Sequence, residues 1–115
     1  MASIRERATR ALLDCGIPMN QSGFLYILDV MELFTEHGAP ITNMRMVYTM
    51  IARKRKHNIE EIMENIKYSI EFGFNNCRTG GWLTYFGLTY TPKTNRNYLA
   101  YFWERLKDED TRNKN

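Results

Sequence analysis

Arg45 and the run Arg53-Lys54-Arg55-Lys56 are followed closely by Glu61, Glu64, Asn65, Lys67 and Tyr68. Clustered guanidinium and ammonium groups neutralise phosphates without reading sequence, whereas amide, carboxylate, ammonium and phenol groups can reach base edges. The chemistry on offer is grip on a polyanion by the first set and discrimination by the second. From Ile41 to His57 every charged residue is basic. From Asn58 to Glu71 the sign reverses, with Glu60, Glu61, Glu64 and Glu71 set against Lys67. The plainer reading is a solvated turn, with Lys67 paired to Glu64 or Glu71 within its own helix for a few tenths of a kcal/mol.

Such residues need a pair of helices to carry them. Met44, Val47, Tyr48 and Ile51 recur at helical spacing, and so do Ile59, Ile62, Met63, Ile66 and Ile70. Two amphipathic helices about a short basic turn form the pattern of a helix-turn-helix. Ile51 and Ala52 would let the first helix pack closely, and Ile62 and Ile66 would anchor the second. Asn58 is expected to open the second helix by accepting from the Glu61 amide, with Glu61 reaching back.

Further elements must hold this pair. Ser3 can cap a helix to about Cys15, with Glu6 completing a capping box. Its stripe is Ile4, Ala8, Ala11 and Leu12, and Gly16 with Pro18 stops it. A second helix over Ser22 to Glu36 is apolar on more than one face and should be the most buried. Gly38 and Pro40 end it. The third begins at Thr42 or Asn43 and ends near Lys54, and the fourth starts at Asn58. A short fifth helix spans Trp82 to Phe86, and Tyr90-Thr91-Pro92 forms a turn. Thr94 or Asn95 caps the last helix, whose apolar face is Tyr98, Leu99, Phe102, Trp103 and Leu106. No period-two run argues for a strand. The expectation is an all-α fold of about six helices. It forms a single domain over 1–115, with 106–115 a frayed, solvated tail.

Composition excludes several classes. Hydrophobic residues make up 43% and aromatics 13%, which argues for a globular protein, while a net charge of +3 does not by itself specify a nucleic-acid partner. Cys15 and Cys77 lack metal-ligand spacing, and His37 and His57 have no carboxylate and nucleophile at a recognisable spacing. No catalytic residue, metal, cofactor or small-molecule substrate is expected, and the chain is not read as an enzyme. There is no secretory signal pattern and no apolar run long enough to cross a bilayer, so the expected location is cytoplasmic, without a membrane partner.

With the helices in place, the chain resembles the DNA-binding effector domain of the sporulation-initiation response regulator, the stage zero sporulation protein A family. The resemblance covers roughly Ile4 to Leu106 and rests on separated pieces in order. These are Gly16-Ile17-Pro18, Gly23-Phe24 with Tyr26, and Ile41-Thr42. Ile51-Ala52 follows, with Ile62, Ile66, Ile70 and Glu71, then Phe86-Gly87 with Thr89. Thr94-Asn95 with Tyr98-Leu99-Ala100 comes last. It implies a six-helix domain that binds a short DNA box, often as a head-to-tail pair, with the fourth helix as reader. No segment resembles the family's receiver domain, so aspartyl phosphorylation in cis is not the expected control.

Departures from the family fall where contact with DNA is expected. Its arginine-rich groove positions are here Glu61, Met63, Glu64, Lys67 and Tyr68. Where its turn has a tyrosine and an asparagine, this chain has Arg55 and Lys56, and asparagine tolerates a left-handed backbone better than lysine. Lys93 and Arg96 stand in for basic residues of a family loop that is shorter here.

The expected function is transcription regulation through double-stranded DNA. Glu61, Glu64, Asn65, Lys67 and Tyr68 are the expected base contacts. Arg45, Arg53, Lys54, Arg55, Lys56, Lys93 and Arg96 are the expected phosphate contacts. A homodimer or a related regulator is the other expected partner. The alternative is a protein-interaction module, a divergent copy that has lost base readout and binds or antagonises another regulator.

Overall fold

Side-chain caps set where the helices begin. Ser3 Oγ accepts from the Glu6 amide at 3.1 Å, Asn43 Oδ1 from Met46 at 3.3 Å, Asn58 Oδ1 from Glu61 at 2.7 Å and Thr94 Oγ1 from Asn97 at 3.3 Å. Each satisfies an amide that the first helical turn leaves without a partner. The computed structural model describes residues 2–77, 80–87 and 94–113, with side chains through 109. It contains α1 (Ile4–Asp14), α2 (Ser22–His37), α3 (Met44–Arg55), α4 (Ile59–Asn76), α5 (Gly81–Phe86) and α6 (Asn95–Asn113). No strand occurs among the described residues. The fold is all-α, with the six helices expected. The Tyr90-Thr91-Pro92 turn lies outside the described residues.

α2 is the axis of the core, and α1, α3, α4 and α6 all pack against it. Its buried residues run almost without a break from Gly23 to Met31, then Phe34. That near-continuous apolar surface is why it is surrounded rather than laid on one face. α4 packs closely on α2 at Gly23. A Cβ placed there would lie 2.2 Å from the Asn65 carbonyl oxygen and 2.2 Å from Ser69 Oγ. Ser69, fully buried, donates to Gln21 Oε1 at 2.7 Å beside that contact.

Seated this way, α4 buries Ile62, Ile66, Ser69, Ile70 and Gly73 and turns the opposite ridge outward. Met63, counted in the apolar stripe from its spacing, is exposed, because it lies beside that stripe and not at its centre. α5 and α6 close the far side through stacked aromatics. Phe86 stacks on Trp82 at 4.7 Å and on Phe102 at 4.9 Å between centroids.

The frayed tail expected from 106 onward is corrected over 106–113, where α6 continues to Asn113; residues 114–115 lie outside those described. Leu106 is buried, its carbonyl accepts a hydrogen bond from Arg7, and the Tyr85 hydroxyl donates to Glu109 at 3.0 Å. These contacts tie the acidic end of the helix to α1 and α5.

Candidate nucleic-acid interface

The connection between α3 and α4 consists of Lys56, His57 and Asn58. Lys56 ends α3 in the left-handed region, φ 60° and ψ 41°, the one non-glycine residue with positive φ among those described. That backbone turns the chain sharply enough for α4 to start at once, at a steric cost of about 1 kcal/mol for a residue with a Cβ.

Two side chains of α2 hold the connection down. Asp29 lies within an apolar run, and its side chain is only 2% exposed. Arg55 clamps it with a bidentate fork, Nε to Oδ2 at 2.9 Å and Nη2 to Oδ1 at 2.8 Å. Arg5 of α1 reaches Oδ1 at 3.3 Å and also bonds Glu32, and the Lys54 ammonium lies 3.6 Å from Oδ1. A buried carboxylate is tolerated only when compensated in this manner. The bond to Asp29 in turn raises the Arg55 pKa above its ordinary value, fixing its charge. One turn before Asp29, the Tyr26 hydroxyl is hydrogen-bonded to His57 Nδ1. Burial, followed by the nearby Glu61 charge, raises the Tyr26 pKa, so the phenol keeps its proton.

Arg55 was expected on phosphate. It points into the fold instead, drawn by the uncompensated charge that Asp29 would otherwise carry. Arg96 is likewise engaged, its Nε donating to the Ile41 carbonyl at 3.3 Å, which ties α6 to the segment before α3. Lys93 lies outside the described residues. Lys54 is exposed but turned toward α2, where it lines a groove of about 310 Å³ with Glu32, Leu33, Glu36 and Met50.

Arg45 faces the other way. It shares a groove of about 390 Å³ with Tyr48, Asn58, Ile59, Glu60 and Met63, beside the first turn of α4. Asn95 braces that groove from α6, donating to the Tyr48 hydroxyl at 3.2 Å and the Met63 carbonyl at 3.0 Å. Arg53 and Lys56 are exposed and have no side-chain partner among the described residues. On α4, Glu64, Lys67 and Tyr68 project from the outer ridge, and neither Glu64 nor Lys67 has a partner there. Tyr68, 56% exposed, touches Phe72 at 6.2 Å between centroids.

Glu61 and Asn65 are occupied locally. The Glu61 carboxylate does not reach back to Asn58; it lies 3.6 Å from His57 Nδ1. Asn65 Nδ2 donates to the Glu61 carbonyl at 2.8 Å. The expected contacts thus divide. Arg45, Arg53, Lys56, Glu64, Lys67 and Tyr68 have open side chains, whereas Arg55, Arg96, Glu61 and Asn65 have structural partners.

No protein-family model, curated protein or solved structure matches this chain. Among the described residues no His, Cys, Asp and Glu cluster could hold a metal ion, and no helix is long and apolar enough to cross a membrane. Reading the sequence missed Asp29 and Tyr26 as supports of the connection. A signal was present, since an acid flanked on both sides by apolar residues requires a cationic partner, and basic residues of α1 and α3 were available.

Proposed function

We propose that this chain is a cytoplasmic, non-enzymatic regulator of transcription that binds double-stranded DNA through α3 and α4 as a helix-turn-helix. The observation carrying the proposal is the division of labour around the connection. Arg55 and His57 are held by Asp29 and Tyr26, while Arg53 and Lys56 stay open on either side of that anchor. A rigid mount with free cations suits phosphate contact, because little side-chain and loop ordering remains to be done on binding. The outer ridge of α4 would then enter the major groove, with Arg45 on a phosphate beside its first turn. The resemblance to the sporulation regulator's effector domain supports the same reading.

A second reading, a protein-interaction module, is favoured by one observation. Glu60, Glu61 and Glu64 are all exposed in the first half of α4, where a polyanion would repel them. A cationic partner protein would suit such a ridge, and a related regulator is the partner this reading names.

The test is charge reversal at the two open cations. Arg53→Glu combined with Lys56→Glu should weaken binding to every duplex alike, by about tenfold or more at low salt. Parental affinity in that variant would remove the proposed grip.

A further inference from the structure

We infer that Glu64 is a specificity-determining residue that makes tight DNA binding conditional on a cytosine. The inference rests on the DNA-binding reading and narrows it to duplexes that present a G·C pair to the middle of α4.

Among the exposed acids at the start of α4, Glu64 is distinct. Glu60 lines the groove it shares with Arg45, and Glu61 lies beside His57. Glu64 is exposed and has no hydrogen bond or ion pair, and the same holds for Lys67 three residues on. Ile62 and Ile66, both fully buried, fix the opposite face of the helix. Glu64 and Lys67 therefore stand as neighbours on the ridge and are not paired with each other.

A carboxylate can only accept hydrogen bonds. In the major groove the available donors are the amino groups of cytosine and adenine. Adenine's amino group lies between two acceptors, its own N7 and thymine O4, which repel a carboxylate. Cytosine's has an acceptor on one side only, guanine O6, and that atom together with guanine N7 is what a lysine ammonium bonds. An acid and a base side by side thus match a G·C edge better than an A·T edge.

On every duplex the phosphates also repel Glu64. Where cytosine is present its amino group offsets that repulsion, and elsewhere nothing does. The same carboxylate lowers general affinity and raises discrimination, which is specificity achieved by penalising wrong partners.

The experiment selects sequences from a random duplex pool with the parent protein. Parent and Glu64→Gln are then titrated against the selected duplex, versions with each C·G pair replaced, and random duplex. The parent should show one C·G pair whose replacement weakens binding roughly fivefold or more. Glu64→Gln should bind random duplex a few-fold tighter while that penalty falls to about twofold or less, with adenine now accepted. Equal tightening on all duplexes with the penalty intact, or a selected site without a preferred cytosine, overturns the inference and leaves the DNA-binding reading standing. Absence of any duplex binding by the folded parent overturns both.

Discussion

The guanidinium of Arg55 and the carboxylate of Asp29 form a two-bonded pair, 2.9 and 2.8 Å, between the end of α3 and the middle of α2. A residue inside the basic run therefore serves the fold, and its neighbours serve the surface. Arg55→Ala leaves Asp29 with weaker compensation from Arg5 and Lys54 and should cost about 3 kcal/mol. Arg53→Ala, at an exposed site, should cost less than about 0.5 kcal/mol. Urea denaturation of the two variants checks this. Equal stabilities would show that the clamp is unimportant.

Lys56 carries an opposing pair of effects. Its backbone, φ 60°, favours glycine or asparagine, so Lys56→Asn should gain up to about 1 kcal/mol in stability. The same change removes an open cation and should weaken duplex binding. A variant that is more stable yet binds DNA less well is the expected outcome, read by thermal melting and a binding titration.

Gly23 sets how closely α4 sits on α2. A methyl group there would lie 2.2 Å from a backbone oxygen of α4, too close to be absorbed by a rotamer change. Gly23→Ala should destabilise by about 2–3 kcal/mol as the helices separate. Gly38→Ala makes a control: a Cβ there meets nothing within 4 Å, and the cost is backbone strain alone.

Alkaline pH should unfold the protein sooner than acid-base chemistry of its surface would suggest. Burial raises the Cys15 thiol above its ordinary 9.0, with the nearby Cys77 and Asp14 adding to it. Burial followed by the bond to Glu109 raises the Tyr85 phenol above 10.0. In each case the unfolded chain loses its proton at a pH where the fold still retains it. Stability from these groups is complete below about pH 9 and falls as pH rises beyond it. Denaturant midpoints at pH 7 and pH 10 provide the check, and Cys15→Ala should lessen the loss. No fall in midpoint by pH 10 would contradict the assignment.

Periodicity and caps made the helices legible, because Ser3, Asn43, Asn58 and Thr94 all accept the amides that their positions predict. The end of α6 was not, since its composition resembles a solvated tail and the contacts of Leu106 and Glu109 come from distant elements. Within the candidate site, charge type was legible and direction was not. Arg53 and Arg55 look equivalent in sequence, yet one is open and the other is bound to a carboxylate twenty-six residues away. Only the packing of α3 on α2 separates them.

The most direct measurement is the affinity of the parent protein for random duplex DNA as salt is raised. With Arg45, Arg53 and Lys56 open near the start of α4, the logarithm of the binding constant should fall linearly with that of salt, with a slope of about −3. A flat dependence, or no binding at low salt, would contradict DNA binding and turn the acidic ridge of α4 into the functional surface.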